Sequence, residues 1–394
     1  MTRSNPVQVS GGDLQRLRQL NSLSSIRALR ESRAPLTLTE LSAQTGLSRA
    51  SVGDVVTDLH QRGWITEVEP TPGTMGRPAK RYRFRADAGH VLGIDIGVHK
   101  VLAVVTDLTG RIVASGRVAV DRSTTRPERL DAVWRAVEAA LVASGLAAAD
   151  LWGVTAGSVG VVSREGSVTR VEALPDWAGV DLAGHLGERL SCPITIENDS
   201  KLAALAEQRL GVAAGVQDLV YLHVGRRPGA ALILSGRLHH GFSGATGEVG
   251  LMNITGWRTM AVELEGCPVA DGAPPEEAAR LVFGAARAGD AVAREAVDVY
   301  ARRLALGTAA MVLTLDPELV ILGGGFSRSA DVLLPALQRA LEPHCLRVPD
   351  IRPSTLGEEC VALGGACLAL DQVAERFFSS EGSLASPVAP QRLG

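Results

Sequence analysis

Arg49, Ala50, Ser51, Gly53 and Asp54 open a stretch in which Val52, Val55, Val56 and Leu59 recur at i, i+3, i+4 and i+7. That spacing gathers the valines and Leu59 on one helical face and leaves Arg49, Ser51 and Asp54 on the other, at the N-terminal end. A guanidinium there reads a guanine edge or holds a phosphate, and a serine contacts either bases or backbone. Further on, Arg77, Lys80 and Arg81 close a loop rich in Pro and Gly that begins at Pro70. Gly76-Arg77-Pro78 is narrow and extended, a shape that can place its arginine in a minor groove. These groups bind rather than make bonds. Metal chemistry is poorly supplied. His99, His239 and His240 show no ligand spacing with one another. The cysteines, Cys192, Cys267, Cys345, Cys360 and Cys367, form no CxC or CxxC pair. Their scatter fits a reduced cytoplasm and speaks against a cysteine-rich zinc site.

The elements that must position the basic groups are legible. Leu14, Leu17, Leu20, Leu23, Ile26 and Leu29 fall near helical spacing and predict one amphipathic helix over 14–30, ended before Pro35. Thr37-Leu38-Thr39-Glu40 is a capping box for a short second helix that stops at Gly46. Ser48 caps a third. Two short helices joined by Gly46-Leu47-Ser48 are the helix-turn-helix pattern. After Gly63 the chain turns β-like at Trp64, Ile65 and Val68, and Tyr82 and Phe84 later alternate with Arg81, Arg83 and Arg85. Strand, basic loop, strand is a wing. Residues 1–86 carry thirteen Lys and Arg against seven Asp and Glu, whereas the remainder carries 27 against 36. A basic head on an acidic body points to double-stranded DNA as the head's partner. The competing use of such a head is protein contact.

Residues 87–91 read as a linker, and 91–375 alternate strands with helices, so the body is α/β. The stretch 376–394 is expected to be a disordered tail, rich in Ser, Pro and Gly. No apolar run reaches the roughly 18 residues of a membrane span, and the N-terminus lacks an apolar signal core, so the expected location is the cytoplasm.

Five segments of the body resemble the ROK family of repressors and sugar kinases: Leu92-Gly93-Ile94-Asp95-Ile96-Gly97, Leu174-Pro175-Asp176-Trp177, Ile196-Glu197-Asn198-Asp199 with Ala203–Glu207, Gly247-Glu248-Val249-Gly250, and Asp316–Gly325. In this order, behind a winged helix, they are similar to the repressor branch. The resemblance implies an actin-like (RNase H-like) sugar-kinase-type domain of two α/β lobes around a cleft. It implies that Asn198, Asp199 and Glu248 face a sugar, Asp199 standing where the kinases keep their catalytic base. Asn198 and Asp199 are also the residue types that cap a helix, and Glu248 can equally be a surface acid.

The departures from the family pattern bear on activity. His99 replaces the threonine of a DxGxT phosphate loop. The glycine-rich second loop reads Gly225-Arg226-Arg227-Pro228-Gly229-Ala230-Ala231, in which proline removes an amide donor and side chains fill space that glycine leaves open. Leu251 stands at the family's zinc histidine, and 252–269 holds Cys267 alone. The expectation is therefore a DNA-binding regulator, homodimeric or homotetrameric, answering to a sugar or sugar derivative, with no catalytic residue, metal or cofactor. The alternatives are an ATP-dependent sugar kinase and a regulator whose body only dimerises.

Overall fold

A computed structural model describes residues 11–68, 79–379, 384, 386 and 387. The head comprises α1 (Gly11–Glu31), β1 (Leu36–Thr37), α2 (Leu38–Thr45), α3 (Arg49–Arg62), β2 (Ile65–Val68) and β3 (Arg81–Phe84), with sheet order β1-β3-β2. Its local signals act as expected. The Thr37 hydroxyl accepts from the Glu40 amide and the Glu40 carboxylate accepts from the Thr37 amide. Gly46 ends α2 at φ 71°, a conformation open to glycine at little steric cost. Ser48 caps α3, whose Val52, Val55, Val56 and Leu59 are buried. The tip of the wing lies outside the described residues.

The first lobe contains β4 (His90–Ile96), β5 (Lys100–Asp107), β6 (Ile112–Ala119), α4 (Arg126–Ser144), β7 (Leu151–Ser158), a β8–β9 hairpin (Val161–Val162, Val168–Arg170), α5 (Leu182–Gly187), β10 (Ile194–Asn198) and α6 (Asp199–Leu210). The second contains β11 (Leu219–His223), β12 (Gly229–Leu234), β13 (Arg237–Leu238), α7 (Val262–Glu265), α8 (Pro275–Ala288), α9 (Ala291–Leu315), β14 (Leu319–Gly323), α10 (Ala330–Leu341) and β15 (Asp350–Pro353). The closing helix α11 (Cys360–Phe378) returns to the first lobe. The two sheets share one plan. Orders β10-β7-β4-β5-β6 and β13-β12-β11-β14-β15 each join an antiparallel meander to parallel strands.

Helices α6 and α11 lie between the sheets in a core that mixes aliphatic side chains such as Leu102 and Leu219 with the small residues Ala203, Ala204, Ala206, Ala231 and Ala362. Close approach requires the absence of side chains there. A Cβ on Gly364 would stand 1.8 Å from the Leu202 carbonyl oxygen, and one on Gly93 would stand 1.9 Å from that of Ala362.

Residues 87–91 are not the free linker expected from sequence. Strand β4 already begins at His90, and a Cβ on Gly89 would collide with the Trp152 ring. The tail boundary also shifts: α11 runs on to Phe378, and Leu384 is buried. Both corrections have one cause. Trp64 and Phe84 of the head pack with Trp152, Phe377 and Phe378 of the body, and one hydrophobic core runs through both. Polar contacts reinforce it. Arg30 donates to the Leu108 carbonyl and sits over the Phe378 ring, and Arg62 donates to the Leu384 carbonyl.

Candidate nucleic-acid interface and ligand cleft

Helix α3 presents its N-terminal end outward because the valine face is buried. Arg49 and Asp54 are exposed and Ser51 is half-buried. The Ser48 hydroxyl accepts from the Ser51 amide and lies 2.9 Å from the Ser51 hydroxyl, so Ser51 is part of the helix cap. The wing residues differ from one another. Arg77 lies outside the described residues. Lys80 pairs with Glu67 at 2.8 Å across the strands. Arg81 donates to the Pro35 carbonyl and to Glu40, bracing β3 against the start of α2. Arg83 is exposed on the same strand and was not singled out from sequence, although its alternation with the inward Tyr82 and Phe84 was the signal for it.

In the body, Asn198 ends β10 and caps α6. Its side-chain oxygen accepts from the Lys201 amide, and its nitrogen donates to the Gly160 carbonyl and to Asp199. The amide expected to grip a sugar is thus engaged by the protein. Asp199 Oδ1 accepts from Asn198 and from the Ser200 amide and hydroxyl. Glu248 precedes a 3-10 turn, and its carboxyl is held above the ordinary range by burial and then by Asp199, against the pull of Lys201 and Arg170. The two carboxylates therefore act on one another, while Asn198 serves to position Asp199.

Sequence reading passed over the layer that holds this pair. Glu197 is buried, accepts from the Asn198 amide at 2.7 Å, and meets His240 Nε2 at 2.7 Å. Lys201, also buried, lies 3.7 Å from Glu197 and donates to the Gly244 carbonyl. The start of α6 is thereby tied to the loop that carries Glu248. The i, i+4 spacing of Glu197 and Lys201 was the available signal. A cavity of about 780 Å³ opens between the β8–β9 hairpin and this loop, lined in part by Val161, Arg164, Arg170, Phe242 and Leu251. Asp199 and Glu248 do not line it, but Arg170, whose charge reaches Glu248, does.

The two loops corresponding to phosphate cradles carry ion pairs within their own chain. Asp95 is buried with Lys100 Nζ 3.2 Å away, and burial raises its carboxyl to about 6 despite that ammonium. In the second loop Arg226 pairs with Glu265 at 2.6 Å and Glu276 at 3.2 Å, and Tyr300 donates to the Gly225 carbonyl. Across the cleft mouth Arg122 reaches Glu276 at 4.0 Å. The zinc position does not fit a metal. Leu251 has no ligand atom, Cys267 is packed in the second-lobe core, and among the described residues no three His, Cys, Asp or Glu side chains gather as ligands.

A winged helix built into a sugar-kinase-type body defines a class: DNA-binding regulators that share their body with enzymes. The ROK family model matches residues 91–271 and 269–372, and the IclR helix-turn-helix domain matches 21–69. This chain belongs to the ROK family and is a transcriptional regulator within it. It is 23% identical over 385 residues to a xylose repressor of Caldicellulosiruptor bescii, covering 90% of this chain and 96% of that one. A ROK regulator described as a homolog of the E. coli MLC protein superposes with a TM-score of 0.69 at 19% identity, covering 90% and 96%. A Streptomyces griseus ROK glucokinase, solved with glucose and AMPPNP, gives a TM-score of 0.58 at 25% identity over 72% of this chain and all of its own. Among the described residues no helix is long and apolar enough to cross a membrane.

Proposed function

We propose that this regulator is a cytoplasmic, homodimeric repressor that reads an operator through residues 1–86, answers to a sugar or sugar derivative through the 91–375 body, and transfers no phosphoryl group. The observation that carries this reading is a contrast within one cleft. The phosphate loops are occupied by internal ion pairs on Asp95 and Arg226. Asp199 and Glu248 are held together by a buried layer that no phosphate needs. A charged carboxylate accepting hydroxyl hydrogen bonds is stronger than a neutral pair, so this is where a polyol gains affinity. Arg49, Ser51 and Asp54 are the base-facing candidates on the head. Lys80 and Arg77 are its phosphate contacts, and Arg81 supports the strand that carries them.

A thermal-shift screen of mono- and disaccharides and their phosphates, with and without ATP, tests the cleft. A sugar should raise the melting temperature, and Asp199→Ala should weaken its binding by about 1.5–3 kcal/mol. Glu248→Ala should weaken it as well, and no sugar should elicit ADP. Shifts that survive both substitutions would move the site elsewhere. A wild type that responds to no sugar would favour a body that only dimerises, a reading consistent with Asn198 being engaged as a cap.

A further inference from the structure

We infer that the cavity between the β8–β9 hairpin and the segment 241–251 is a second sugar subsite, so that the effector is a disaccharide or a longer saccharide rather than a single sugar. The inference rests on the sugar response proposed above and extends it. The two walls of the cavity are the segments that also hold the Asp199–Glu248 site. On one side Asn198 Nδ2 donates to the Gly160 carbonyl 2.9 Å away, and the next residue, Val161, lines the cavity. On the other, Lys201 donates to the Gly244 carbonyl, and Ala245 and Leu251, each three residues from Glu248, line the cavity. The walls meet at a tight seam, where a Cβ on Gly244 would stand 2.3 Å from the Val162 carbonyl oxygen. Arg170 belongs to both places, since it lines the cavity and its charge acts on Glu248. A saccharide anchored at Asp199 and Glu248 extends into this space.

The lining selects a neutral sugar ring. Its volume of about 780 Å³ falls within the roughly 300–1,000 Å³ of ordinary ligand pockets. A sugar ring has an apolar C–H face and a rim of hydroxyls. Phe242 is 97% exposed, so its ring is free to receive that face, and Leu251, 39% exposed, adds a second apolar surface. The hydroxyl rim has partners as well. Among the described residues the side chains of Ser243 and Arg164 hold no hydrogen bond or ion pair, so both keep their donors for a ligand. The charges argue against an acidic unit. Arg170 already pairs with Glu172 at 3.1 Å, and the Arg164 charge acts on Glu165 beside it, so each guanidinium has a carboxylate at hand. An uncharged unit needs no surplus charge and gains from the aromatic face and the spare donors.

Calorimetric titration of the full chain with matched saccharides tests the subsite: glucose against cellobiose and maltose, xylose against xylobiose, and galactose against lactose. In at least one pairing the disaccharide should bind at least tenfold more tightly than its monosaccharide. Phe242→Ala should erase that gain. It should leave the monosaccharide dissociation constant and the unliganded melting temperature unchanged, because the ring is exposed. Arg164→Ala should reduce the gain at least threefold, whereas Glu248→Ala should weaken monosaccharide and disaccharide alike. Monosaccharides that bind as tightly as every disaccharide would overturn the subsite and leave the first site standing. A gain that survives Phe242→Ala and Arg164→Ala together would do the same. A chain that binds none of these saccharides would overturn the sugar response itself, and the subsite with it.

Discussion

Two packed layers join the parts of this protein, and they differ in composition. The layer between head and first lobe is rich in aromatic rings: Trp64, Phe84, Trp152, Phe377 and Phe378 meet stacked, edge to face or tilted, and across the junction Trp64 and Phe378 come within 5.0 Å between ring centroids. The layer between the lobes has no aromatic stack: alanines and a glycine, among them Ala203, Ala204, Ala362 and Gly364, let α6 and α11 approach closely beside aliphatic residues such as Leu102, Leu219 and Leu363. Large interdigitated rings are close-packed and resist displacement. Small side chains let helices shift against a sheet at little cost. A change in the angle between the lobes would carry the head with the first lobe, because the two share one hydrophobic core. Helix α11 spans both layers. Asp371 on it pairs with Arg209 at the end of α6 at 2.8 Å, and the charge of Arg30 on α1 also acts on it, so the helix that begins at Asp199 is connected by contact to the helix-turn-helix.

The sharpest way to break this contrast is at the aromatic layer. Trp64 is fully buried, and Trp64→Ala should cost about 3–5 kcal/mol, the scale for deleting a large core side chain. More telling is cooperativity. Wild-type calorimetry should show head and first lobe melting together, and the variant should show the head melting first. A wild type in which the head already melts separately would mean that the aromatic layer is not a lock.

A smaller effect is expected at the sliding layer. Gly364→Ala should cost about 1–3 kcal/mol by overpacking, because the new methyl meets the Leu202 backbone. It should also push α11 from α6 and alter the response to sugar while leaving DNA-binding residues untouched. If sugar-induced melting shifts are unchanged in that variant, the small-residue layer is not where the lobes move.

Much of this was legible in the sequence, and the reason is locality. Caps and turns act over three or four residues, so Thr37–Glu40, Gly46 and Ser48 announced the helix-turn-helix without any knowledge of the rest. The two-lobed body came from resemblance carried by five separated motifs. What stayed hidden depends on residues far apart in the chain. Trp64 and Phe377 are each ordinary apolar residues until the fold brings them together, so the linker and the start of the tail were drawn where packed residues stand. Arg81 read as a DNA contact because its local context is basic, yet its partners Pro35 and Glu40 come from another element. Asn198 was read both as a sugar ligand and as a cap, and its side-chain oxygen caps α6. Glu197 and Lys201 were passed over because a buried Glu–Lys pair looks like any helix-spaced surface pair until burial is known.

In the proposed mechanism the cleft and the head act as one. A ligand changes DNA affinity only by binding one lobe arrangement better than another, and the coupling must then be reciprocal. The most direct measurement is operator affinity with and without the sugar that stabilises the protein, using DNA recovered by genome-wide mapping of bound sites. For wild type, the account predicts that sugar changes the operator dissociation constant and that operator changes the sugar dissociation constant by the same factor, both effects vanishing in Glu248→Ala. A sugar that raises the melting temperature through Asp199 and Glu248 and leaves operator affinity unmoved would contradict it.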